Sequence, residues 1–183
     1  ICARGCQGAI ADAGKAGLQG CMTGRASATL AEGIRGDMDK NRYLGELAEH
    51  PGARFWRAPF DELSRPEQVF RCVWELESDV SGGGFEQYFA NSGGDHAWFA
   101  GDALREIGAK QLAAITAEAV ALFGAEAPDI ERPVRHDQIA HLERPVHEYW
   151  EALSEAFCEY PDDLTELLYD YVCAHREAFP TGD

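Results

Sequence analysis

Nowhere does the chain hold a run of about 18 apolar residues that would span a bilayer. Nor does a short apolar stretch follow a basic start in the manner of a secretion signal, so a cytoplasmic location is the expectation. It lacks a C-x-x-C pair as well. The six cysteines stand at positions 2, 6, 21, 72, 158 and 173, without zinc-site spacing or the density of a disulfide scaffold, and reduced thiols with no bound metal are expected. No aromatic residue precedes Tyr43, and residues 1–37 hold eight glycines and eight alanines. That stretch cannot supply a core and reads as a flexible or non-native extension, with Met38 as the expected start of the folded part. The remainder, residues 38–183, is long enough for one domain and too short for two.

Basic residues are scarce. Against 16 Lys/Arg stand 32 Asp/Glu, a formal net charge of −16. The imbalance is uneven: residues 1–58 carry eight Lys/Arg and six Asp/Glu (+2), whereas residues 59–183 carry eight against 26 (−18). A field of that sign repels nucleic acid and anionic membrane and attracts basic protein surfaces. Direct nucleic-acid or membrane binding is therefore not expected.

What the sequence does have is helical periodicity, with no competing strand alternation. Ser64, Pro66 and Glu67 read as an N-cap and capping box ahead of Val69, Phe70, Val73, Trp74 and Val80, a helix expected to end at Gly82-Gly83-Gly84. Phe85, Tyr88 and Phe89 give a short second helix. A polar turn, Asn91 to Asp95, leads to a helix bearing Trp98, Phe99, Ala103, Leu104 and Ile107, stopped by Gly108. Another carries Leu112, Ile115, Ala119, Leu122 and Phe123. Residues 125–145, with Pro128, Pro133 and Pro145, read as a long surface connection. Two final apolar stripes run from Tyr149 to Tyr160 and from Leu164 to Val172, separated by Pro161. The expected fold is all-α, a single irregular bundle of about six or seven helices.

No catalytic constellation emerges. None of the six histidines follows a glutamate by three positions, and His147-Glu148 begins a zincin motif that Glu151 breaks. His136, His141 and His147 read as surface histidines. Ser81-Gly82-Gly83-Gly84-Phe85 has the outline of an anion cradle but no following lysine and no preceding strand. No nucleophile stands beside an evident base, so an enzyme is not expected and no cofactor is implied. The one enzymatic alternative is a carboxylate cluster near Asn91 and Asp95.

The segment from Trp74 to Asp95, and within it Glu77, Val80, Gly83, Gly84, Phe85, Gln87, Tyr88, Phe89, Asn91, Gly94 and Asp95, resembles the signature E-x-x-V-N-N-G-G-F-x-Q-Y-F-x-N-x-x-G-D of the bacterial DNA-mimic protein family, with Ser81 and Gly82 in place of its two asparagines. The likeness covers about residues 60–177. It implies a helical fold and a partner that is a DNA-binding regulator occupied by acidic side chains. Related domains also resemble components of toxin and immunity loci, which implies as an alternative an inhibitor of a nuclease toxin. The motif itself is rich in Gly and aromatics, so Gly83, Gly84, Phe85, Gln87, Tyr88, Asn91 and Asp95 read as structural residues. Gln87, Tyr88 and Asn91 are expected to bond to the backbone of the flanking turns.

Mimicry must rest on where the acids lie. Glu148, Glu151, Glu155 and Glu159, continued by Asp162, Asp163, Glu166 and Asp170, recur at steps of three and four opposite the apolar stripes. One such row, rising about 4.5–6 Å per step, is sparser than the phosphates of one DNA strand, about 3.4 Å apart along the axis. A second row is needed, and Glu75, Glu77, Asp79 and Glu86 are its candidates. The alternatives are an ordinary solvated helix face and a surface for a basic protein partner, a DNA-binding regulator or a nuclease toxin.

Overall fold

The computed structural model describes residues 39–180; the expected extension and its boundary at Met38 lie outside the described residues. Among the described residues there are seven α-helices and no strand. In chain order they are α1 (39–49), α2 (Arg65–Ala90), α3 (Ala97–Ile107), α4 (Lys110–Ala121), α5 (Arg132–His141), α6 (Arg144–Cys158) and α7 (Leu164–Ala174). None of the described helices is long and apolar enough to cross a membrane.

The capping box is formed: the Glu67 carboxylate accepts the Ser64 backbone N–H at 2.9 Å and its hydroxyl at 2.7 Å, satisfying donors that a helix start leaves without partners. From there α2 runs through the middle of the molecule and touches α3, α5, α6 and α7. Phe85, Phe89, Phe123, Trp150 and Phe157 interlock around its C-terminal half. Phe55, Phe70 and Phe179 do the same around its N-terminal half. Helix α1 docks on α7 through the Tyr43–Tyr169 edge contact and the Thr165 hydroxyl, which donates to Asn41 at 2.9 Å.

One expectation holds and another needs correcting. Within the run Arg65–Ala90 the first helical stretch ends at the glycines, where Gly83 and Gly84 leave helical angles (φ/ψ −164°/20° and 79°/−177°), and residues 85–90 form the expected short helix beyond this bend. Residues 125–145 are not one long connection, because Arg132–His141 is helical and α6 begins at Arg144. Pro133 and Pro145 sit in the first turns of α5 and α6, where a missing N–H does no harm. Helix α5 buries only Arg135 and Ile139, so it shows no apolar stripe.

Candidate functional site

A bend in a helix strands backbone donors, and the fold must supply acceptors from elsewhere. The Phe85 N–H donates to the Ser154 hydroxyl of α6 at 2.9 Å, and that hydroxyl donates to the Trp150 carbonyl at 2.6 Å. A Cβ on Gly84 would come within 2.8 Å of the same Ser154 oxygen, and one on Gly83 would collide with the folded-back Gln87 amide. Glycine is therefore what lets the bend press against α6. Ser154, buried on α6, has no sequence signal that announces this role.

Bend and helix enclose an open cleft of about 390 Å³. Val80, Phe85 and Trp150 form its apolar floor, and Glu86, Glu151 and Glu155 stand on its walls. His147 lies at its side, with Nδ1 2.9 Å from a Glu86 oxygen, so it is not simply a surface histidine. His136 Nε2 lies 2.8 Å from the Ala90 carbonyl, and both His136 and His141 are exposed.

The eight acids singled out on the last two helices separate into two groups. Asp162 accepts the Gln111 and Leu112 N–H groups at 2.7 and 2.9 Å and caps α4, Asp163 caps α7 through the Glu166 N–H at 3.0 Å, and Glu166 pairs with Lys40. Glu148 is held by Arg144 at 2.8 Å. Glu151, Glu155, Glu159 and Asp170 are exposed. Of the proposed second row only Glu86 adjoins this group, lining the same cleft as Glu151 and Glu155, whereas Asp170 of α7 does not line it. Glu77 is buried and accepts the Tyr160 hydroxyl at 2.7 Å, Glu75 lies largely buried beside Arg71, and Asp79 is held by Asn91. Most basic side chains are also spoken for within the fold: Lys40, Arg42, Arg54, Arg65, Arg71, Arg105, Arg132, Arg135 and Arg144 all pair with acids.

The motif's polar residues meet on the opposite side of α2, but not as expected. The Asn91 side chain donates to the Asp79 carboxylate at 2.7 Å rather than to turn backbone. The Tyr88 hydroxyl is buried without a hydrogen-bond partner. Asp95 receives Arg132 at 3.2 Å and Arg135 at 2.5 Å. Arg135, fully buried, also donates to the carbonyls of Phe89, Asn91, Asp129 and Ile130 at 2.5, 3.0, 2.5 and 3.2 Å. It stood unnoticed in a segment read as loop, and it ties α5 to the end of α2. The carboxylates near Asn91 and Asp95 thus have internal partners. No three His, Cys, Asp or Glu side chains converge as a metal site among the described residues.

Burial pushes the carboxyls of Glu75 and Asp79 upward, opposed at Glu75 by Arg71 and at Asp79 by bonds from Asn91 and Gln87. Burial, aided by Arg71, pushes the half-buried His96 down to about 4. The unfolded chain takes up this proton first, so the His96 contribution to stability is present above about pH 6.5 and is lost as pH falls toward 4. The raised carboxylates act in the opposite sense over the lower part of that range. His96→Phe keeps the stacking on Phe60, 3.8 Å between centroids, and removes the titration. Between pH 7 and 4.5 the wild type is expected to lose about 1–2 kcal/mol more than this variant in urea unfolding, after discounting for solvent exposure. Parallel loss in both proteins would refute the assignment.

A family model described as DMP19-like protein matches residues 61–175, more than half of the chain. No curated protein and no solved structure matches it.

Proposed function

The chain belongs to the DMP19-like protein family, and from that premise we propose that it is a protein-binding module of the DNA-mimic type. Its acidic face, Glu151 and Glu155 of α6 and Glu159 at its C-terminal end, with Glu86 across the cleft, occupies the DNA-binding surface of a basic partner. The observation that carries this reading is the bend in α2, which sets Glu86 beside the α6 row and so supplies acids from two elements instead of one. The internal pairing of most basic side chains supports it too, since Glu151, Glu155 and Glu159 stand exposed with no Lys or Arg lining the cleft beside them. Nothing in the reading requires the protein to act as a catalyst.

The test is capture of the partner from native lysate, with competition by duplex DNA and a salt titration. Affinity is expected to fall steeply with salt, because the attraction joins two wet charged surfaces. Reversing Glu151 and Glu155 to Lys is expected to weaken capture by about 100-fold or more, at about tenfold per reversed contact, with helicity and melting unchanged. Glu166 and Asp162 are left alone because they hold Lys40 and cap α4. Capture indifferent to DNA, or surviving the double reversal, overturns the proposal. A captured nuclease that loses activity would instead identify an inhibitor of a toxin.

A further inference from the structure

The cleft between the bend of α2 and α6 is too shaped to be only part of a charged face. Its floor is apolar, from Phe85 and Trp150, and its walls carry Glu86, Glu151 and Glu155. No Lys or Arg lines it. An anion would meet carboxylates, and a wholly apolar ligand would strip water from them and return nothing. The chemistry that satisfies both parts is a cation on an apolar stem. We propose that this cleft seats one arginine side chain of the basic partner, a proposal that rests on the acidic-face reading above.

Arginine fits better than lysine. Glu151 and Glu155 lie one turn apart on α6, and Glu86 faces them from another element. A planar guanidinium with five donors can serve several carboxylates at once, and it is less strongly hydrated than an ammonium, so it tolerates a half-apolar site. Its methylene stem covers the floor. Side chains of this kind, buried at the centre of an interface, carry a large share of binding energy. His147, now 2.9 Å from Glu86, occupies the position from which a guanidinium would displace it.

The probe is a capped Gly-Arg-Gly peptide titrated into the protein with amide shifts followed by NMR, against capped Gly-Lys-Gly. Saturable shifts are expected at residues 82–86 and 150–155, with the lysine peptide about threefold weaker or more. Glu151→Gln with Glu155→Gln is expected to raise Kd about tenfold or more. Asp137→Asn with Glu177→Gln removes the same charge from exposed positions outside the cleft and is expected to change Kd less than about twofold. Circular dichroism checks that each variant keeps its fold. Absence of saturable shifts overturns the seat, as does equal binding of the lysine peptide. Equal weakening by the two double variants overturns it as well but leaves the acidic face standing, because that points to the general field alone. The acidic-face reading fails separately, through partner capture that duplex DNA does not compete.

Discussion

Arg135→Met is expected to destabilise the protein by about 3–5 kcal/mol, because it leaves buried polar groups without their donor. The Arg135 guanidinium is fully buried and holds four carbonyls and the Asp95 carboxylate. Methionine fills similar space and satisfies none of them. Helix α5 buries only Arg135 and Ile139, and Arg135 is the one of the two with no exposed surface. In urea unfolding at pH 7 the midpoint should fall by roughly 2 M, taking about 1–3 kcal/mol/M as the slope. Arg135→Lys is expected to recover less than half of the loss, since an ammonium has three donors and no fork to span the carbonyls of Phe89 and Ile130. Asp95→Asn separates charge from geometry: it keeps an acceptor for Arg135 but leaves the buried guanidinium without its carboxylate. A loss under about 1 kcal/mol for Arg135→Met would mean that water replaces the guanidinium and that α5 docks by other means.

The residues that made this arrangement illegible in the sequence are instructive. Periodicity revealed α3, α4, α6 and α7 because each presents an apolar stripe to the core, and Gly108 announced the end of α3 by the left-handed angle it adopts (φ 95°). Helix α5 has no stripe, so the prolines at its start and at the start of α6 were read as loop residues. In α2 the three glycines announced the break at Gly83 and Gly84, but not the direction in which the residues after it leave. Among the acids, Asp163 stands just before α7, where an N-cap is readable. Asp162 caps a helix about 50 residues earlier in the chain, and Glu86 reaches His147 across 61 residues. No local spacing encodes such partners. Identity of the acidic residues was legible, but which of them the fold consumes was not.

The bend is also where a single methyl group should do most damage. Gly84→Ala is expected to destabilise by about 2–5 kcal/mol, and Gly84→Val by at least as much. Gly84 sits at φ 79° and ψ −177°, a region that only glycine occupies readily, at about 1–3 kcal/mol for any other residue. The new Cβ would also press on the Ser154 hydroxyl at 2.8 Å, and moving that oxygen frees the buried Phe85 N–H, worth about 1–3 kcal/mol when left unsatisfied. Relaxing instead to helical angles would turn Phe85, Tyr88 and Phe89, all buried, away from the pockets they fill. A double-mutant cycle with Ser154→Ala divides the effect: the combination should fall short of additivity by about 0.5 kcal/mol or more, since the clash and the Phe85 bond are removed only once. What remains in the Ser154→Ala background is the backbone strain. Gly83→Ala provides a comparison, because Gly83 lies at an extended φ of −164° and its Cβ would meet the flexible Gln87 amide, so a smaller loss is expected. If Gly84→Ala unfolds at the same urea concentration as the wild type, ordinary angles suffice at residue 84. The bend would then no longer explain how Glu86 comes to face Glu151 across the cleft, and the acidic face would again be a single row.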